Sequence, residues 1–125
     1  MAVKRSNFIF LLIWRWLPVL ACMGFIFKVS SVPGRDIPAL FKYQDILYHL
    51  ASYAILTLLF SRALAKSAIG IKGPVLLILA IAFGLLYGAS DELHQLFVPG
   101  RSCSAGDLLV DGIGSLLGGL PYLCH

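Results

Sequence analysis

The chain has 125 residues, of which 59% are hydrophobic and only 13% are charged, and its mean hydropathy is +0.89. Soluble domains carry about 25% charged residues, so the composition excludes an ordinary water-exposed domain and predicts that apolar side chains face lipid. The length allows one domain, residues 1–125, and no second one. The net charge of +4 does not indicate a nucleic-acid-binding protein, because lysines and arginines occur singly or in pairs between apolar segments.

Four apolar segments follow one another along the chain, at residues 8–27, 46–65, 74–97 and 106–123. Each is close to the length of about 20 residues that a helix needs to cross the hydrocarbon core of a membrane. The third begins with Pro74, which is favoured in the first turn of a helix. The fourth contains Gly114 and Gly118 at a spacing that lets helices pack closely in lipid. The sequence therefore predicts an all-α fold, a bundle of four transmembrane helices.

The first segment has two interpretations. Basic residues precede it, and Cys22 follows a short apolar run, as in the signal peptide of a lipoprotein. Arg15 interrupts this run, however, and the apolar stretch continues past the cysteine to Phe27, which favours a retained membrane anchor. Pro18 is expected to kink the helix or to restart it just after the proline.

The charged residues predict how the helices are oriented. One side of the membrane receives Lys4, Arg5, Arg62, Lys66 and Lys72, joined by Arg15 if its side chain extends to the nearer interface. The other side receives Lys28, Arg35, Lys42 and Arg101. Because positive charge is more frequent on cytoplasmic loops, we predict a multi-pass protein of the cytoplasmic membrane with both termini in the cytoplasm. All six acidic residues fall on the opposite, exoplasmic side.

The acids near that side come in pairs with helical spacing. Spacings of three or four residues place two side chains on one side of a helix, and this holds for Asp45 with His49, Asp91 and Glu92 with Gln95, and Asp107 with Asp111. Several of them lie about 6–9 Å inside their helix ends, where ionisable groups usually face the bundle interior or an aqueous cavity. The predicted polar cluster consists of Asp45, His49, Asp91, Glu92, Gln95, Arg101, Asp107 and Asp111.

Parts of the polar cluster also have a structural interpretation. Asp45 and Asp107 begin their helices, where acids cap free N–H groups and complement the helix dipole. Asp91 and Glu92 lie near a helix C-terminus, where acids are unfavourable, so both are expected to need a cation. Arg101 is the only lysine or arginine in the loop that follows, which predicts that it pairs with one of them. An ion-pair network that only supports packing is therefore an alternative.

Several motifs between residues 16 and 118 resemble those of the VanZ-like family. They are Ser30-Ser31-Val32-Pro33, Asp45 with His49 and Tyr53, Tyr87-Gly88-x-x-Asp91-Glu92-x-x-Gln95, Pro99-Gly100-Arg101 and Asp107-x-x-x-Asp111-x-x-Gly114-x-x-x-Gly118. The chain departs from the family at Ile46, often lysine there, and at Asp111, often asparagine, which leaves its polar cluster more anionic. The resemblance implies an integral membrane protein of the cell envelope, and the founding member is associated with resistance to the glycopeptide teicoplanin.

Three functions are compatible with the polar cluster. The first is binding, or help in modifying, an envelope lipid or glycan headgroup that Arg101 would hold. The second is an enzyme that acts on such a lipid, with His49 or Glu92 as general acid–base and with a divalent cation on the carboxylates as an option. The third is a structural helper subunit. No cofactor and no metal site are otherwise expected, since the three cysteines lack metal-binding spacing. The oligomeric state is left open.

Overall fold

A computed structural model describes residues 2–67 and 70–125, which form four α-helices and no β-strand. The helices are α1 (Ala2–Ser30), α2 (Gln44–Ser67), α3 (Gly73–Gln95) and α4 (Ala105–Gly119). Two short 3₁₀ helices cover Gly34–Asp36 and Leu120–Tyr122. The predicted all-α fold is confirmed.

Three of these helices are long and apolar enough to cross a membrane, over Lys4–Ser30, Gln44–Ser67 and Gly73–Gln95. Helix α4 has only 15 residues, or about 22 Å at the rise of an α-helix, against a hydrocarbon core of about 30 Å. The 3₁₀ helix that follows lengthens it by about 6 Å. The fourth membrane crossing therefore stays a prediction.

Helix α1 differs from the sequence-based expectation at both its ends and its middle. It begins before the apolar segment and continues beyond it, and Pro18 lies inside one uninterrupted helix instead of restarting it. Proline removes one backbone hydrogen bond, and a helix in lipid tolerates it where neighbouring groups satisfy the freed carbonyl group.

Helix α4 packs chiefly against α2 and α3, and α1 packs mainly against α2. The glycines of α4 allow a close approach of two backbones. A Cβ atom added at Gly114 would lie 2.6 Å from the carbonyl oxygen of Leu50, and one at Gly118 would collide with the carbonyl oxygen of Ala54. The predicted role of this glycine pair in close helix packing is confirmed.

The helix ends that carry the polar cluster meet at one end of the molecule. Between α1 and α2, the loop amide of Gly34 donates a hydrogen bond to the carbonyl oxygen of Pro99 in the loop between α3 and α4. At the opposite end, the amide of Gly73 donates to the carbonyl oxygen of His125. Large apolar side chains such as Phe10 and Leu86 remain exposed, as expected for surfaces that face lipid.

Candidate ligand-binding site

His49 of α2 is buried and lies between two acids of α4. Its Nδ1 donates a hydrogen bond of 2.8 Å to Oδ1 of Asp111, which is itself completely buried. Its Nε2 lies 3.9 Å from Oδ2 of the partly exposed Asp107. The four-residue spacing of the two acids puts both on the side of α4 that faces the imidazole, as the sequence predicts.

Glu92 of α3 joins this pair from a third helix. Its Oε2 accepts a hydrogen bond of 2.8 Å from the backbone amide of Ser104, just before α4. Within the described residues, its Oε1 has no hydrogen-bond partner, and the same is true of Oδ2 of Asp111. Each of His49, Glu92 and Asp111 offers one potential ligand atom, and these atoms all lie within 4.8 Å of one another. We call these three residues the buried triad.

Asp91 and Gln95 lie on the same buried side of α3. Nε2 of Gln95 donates a long hydrogen bond of 3.5 Å to Oδ2 of Asp91. Both side chains are at least 95% buried. As their four-residue spacing predicts, the two side chains lie on the same side of α3. Gln95 is the nearer of the two to the end of the helix.

The predicted ion pair of Arg101 with Asp91 or Glu92 is wrong for the described part of the chain, where no acid lies within 4.0 Å of its guanidinium group. Instead, Nε donates to the carbonyl oxygen of Val32 and Nη2 to that of Val29, each at 3.0 Å. Carbonyl groups at a helix C-terminus lack partners within the helix and carry partial negative charge, so they attract a cation. Through these two hydrogen bonds, Arg101 connects the loop after α3 to the C-terminal end of α1.

The two acids at helix N-termini differ from a simple capping role. Asp107 lies in the first turn of α4, but the cap is Ser104, whose Oγ accepts a hydrogen bond of 3.4 Å from the amide of Asp107. Asp45 lies exposed in the first turn of α2. Both positions suit the helix dipole, and both carboxylates remain available to a ligand.

Two adjoining cavities open at this end of the helices. The larger, of about 580 Å³, is mostly apolar, and we call it the apolar cavity; among its lining residues are Val29, Val32, Ile37, Leu40, Phe41, Leu47 and Ala51. The smaller, of about 270 Å³, is the polar cavity; its lining includes Asp45, His49, Gln95, Arg101, Ser102 and Asp107. Five residues line both cavities: Ile37, Gln44, Asp45, Tyr48 and Arg101.

The structure therefore brings the whole predicted cluster to one region, in two layers. Five members line the polar cavity. The remaining three are buried next to its lining residues, Asp91 beside Gln95, and Glu92 and Asp111 beside His49. Sequence analysis missed Gln44 and Tyr48, which line both cavities. Gln44 also donates to the carbonyl oxygen of Pro38 and accepts from the amide of Leu40, so it orders the loop over the cavities.

Comparison with known proteins gives one family. The searches of curated proteins and of solved structures returned no match. The sequence model of the VanZ/LLP1 family matches residues 8–124, nearly the whole chain, which includes most of α1, all of α2, α3 and α4, and every member of the polar cluster. With three helices able to cross a membrane, the chain is a membrane protein that belongs to the VanZ/LLP1 family.

Proposed function

We propose that this protein binds an envelope lipid, with the headgroup in the polar cavity and the hydrocarbon chain in the apolar cavity. The observation that carries the proposal is the common wall of the two cavities. An amphiphile needs an apolar and a polar compartment side by side, and cavities of about 300–1,000 Å³ are typical of ligand sites. In the predicted orientation, the cavities open toward the exoplasmic side of the cytoplasmic membrane.

The chemistry of the polar cavity favours a headgroup rich in hydroxyl groups. Asp45 and Asp107 contribute two negative charges and Arg101 one positive charge, a balance of −1 with neutral His49. Carboxylates accept hydrogen bonds from sugar hydroxyls, whereas a bare phosphate would be repelled by them. The guanidinium group of Arg101, which lines the polar cavity, is the positive charge there that could contact a linking phosphate. A glycan-bearing lipid fits these groups.

Such a ligand would connect the protein to the envelope pathway that the family resemblance implies. The founding member of the family is associated with resistance to the glycopeptide teicoplanin, and binding of an envelope lipid on the exoplasmic side is compatible with such a role. We therefore include a contribution to glycopeptide resistance in the proposed function.

The experiment fills the apolar cavity and leaves the polar one intact. Ala51 lines the apolar cavity near the start of α2, whereas Ala82 lies on an exposed side of α3 and is not part of either cavity wall. Ala51→Trp is expected to abolish the lipid that copurifies with the protein in mild detergent, measured by mass spectrometry of extracts, and Ala82→Trp is expected to retain it. In cells, Ala51→Trp should resemble a deletion strain in glycopeptide sensitivity. Equal lipid content in both folded variants would refute the proposal.

A second candidate function is an enzyme acting on the same lipid. The observation that favours it is the hydrogen bond from His49 to Asp111, since a carboxylate behind an imidazole holds the other ring nitrogen free to accept a proton. His49 lines the polar cavity and Glu92 does not, which makes His49 the better general base of the two candidates. Conversion of a radiolabelled lipid fraction by wild type, lost in His49→Gln with lipid binding retained, would establish this function over binding alone.

A further inference from the structure

The buried triad leaves two carboxylate oxygens without partners. Glu92 is 96% buried and Asp111 fully buried, and Oε1 of the first and Oδ2 of the second accept no hydrogen bond from the described residues. A buried acceptor that is left unpaired is costly, more so on an ionised group, so two such atoms within one buried triad indicate a missing positive partner.

The protein does not supply that partner from the residues described. Arg101 is held by the carbonyl oxygens of Val29 and Val32. No lysine or arginine in residues 4–67 and 70–125 lies within 4.0 Å of the carboxylate of Glu92 or of Asp111. His49 already contacts Oδ1 of Asp111, and a single imidazole cannot balance the triad acids together with Asp107 beside it.

We propose that His49, Glu92 and Asp111 hold a divalent metal ion. The ligands come from three different helices, and their nearest donor atoms are within 4.8 Å of one another. Ligands of a zinc ion stand about 3.4 Å apart when each is about 2.1 Å from the metal, so binding would draw the donor atoms together by up to about 1.4 Å. The proposal concerns the ion itself and does not depend on lipid binding.

The donor set indicates which ion is bound. One imidazole nitrogen with carboxylate oxygens suits zinc or manganese, whereas magnesium and calcium prefer oxygen ligands throughout. Asp107, with Oδ2 at 3.9 Å from Nε2 of His49, is the next available ligand, and it lies on the side of the polar cavity. An ion in the triad would therefore be reached from that cavity.

The experiment measures metal content in protein purified in detergent from cells grown with added zinc and manganese. Wild type is expected to contain one ion per chain by elemental mass spectrometry, and Glu92→Gln and Asp111→Asn to lose it, since each removes a ligand charge with little change of shape. Asp91→Asn is the matched control, because Asp91 is also buried on α3 but lies outside the triad. It should keep the metal.

Two further readouts keep the test independent of how well the variants fold. A chelator should lower the melting temperature of wild type and of Asp91→Asn, and added zinc or manganese should restore it. Cobalt(II) added to chelated wild type should produce visible absorption bands that the chelator removes. Wild type without stoichiometric metal, without a melting shift for either ion and without cobalt bands would overturn the proposal, as would equal loss of metal in Asp91→Asn. Lipid copurification plays no part in these outcomes, so they fail separately from the proposed function.

Discussion

The hydrogen bond between His49 and Asp111 makes a specific prediction about stability. His49 is 3% exposed and Asp111 is not exposed at all, so His49→Ala leaves a buried carboxylate with neither oxygen paired. Leaving a buried group without its hydrogen-bond partner typically costs about 1–3 kcal/mol of unfolding free energy, and more when that group is charged. Asp111→Asn keeps an oxygen that accepts from Nδ1 and removes only charge, so we expect a loss of at most about 1 kcal/mol.

The double variant decides whether this reasoning is correct. In His49→Ala with Asp111→Asn, the orphaned group is a neutral amide in place of a carboxylate, so the double variant should be more stable than His49→Ala alone by at least about 1 kcal/mol. The assay is unfolding in mild detergent, followed by thermal melting or by titration with a denaturing detergent. A chelator is present throughout, so that metal binding does not contribute. Strictly additive losses, or a double variant no more stable than His49→Ala, would refute the pairing argument.

The Arg101 contacts, the glycine packing and the membrane orientation each give a further measurable outcome. Arg101→Glu should lower the melting temperature more than Arg101→Ala, because it places negative charge against the carbonyl groups at the end of α1; equal melting of both variants would contradict this. Gly118→Ala should destabilise by about 1–3 kcal/mol through overpacking against α2, whereas Gly24→Ala, with open space around it, should be neutral or stabilising in the same melting assay. In intact cells an impermeant maleimide should label Cys103 and not Cys124, both exposed in the structure; the reverse result would invert the orientation.

The helices could be predicted from sequence because their number follows from composition and hydropathy. Their ends were predicted less well. Hydropathy marks the part of a helix that lies in lipid, whereas the helix itself continues through polar residues such as Lys4 and Arg5, so α1 is longer than its apolar segment. The third apolar segment is longer than its helix, because Leu96 and Phe97 are apolar yet follow the end of α3 in a turn.

The polar cluster was predictable for a different reason. Helical spacing shows which residues share a side of one helix, and membrane depth argues that this side faces inward. Which sides meet is not encoded in spacing, so the contact of His49 with Asp111 and the buried triad required the structure. The partner of Arg101 was wrong because proximity along the chain favoured Asp91 and Glu92, whereas the fold brings the end of α1 against the same loop.

The short fourth helix explains why the N-terminus of α4 lies at the level of Glu92. At the end of the molecule away from the polar cluster, Gly73 at the start of α3 contacts the chain just beyond α4. The start of α3 therefore lies level with the end of α4. From there α3 extends about 34 Å, whereas α4 with its 3₁₀ helix covers about 28 Å. The N-terminus of α4 therefore stops about one turn below the end of α3, and the amide of Ser104 binds Glu92 there and not the final residue of α3. The loop between the two helices carries residues that line the polar cavity. A longer α4 would occupy the space beside the end of α3, so its shortness leaves room for the polar cavity.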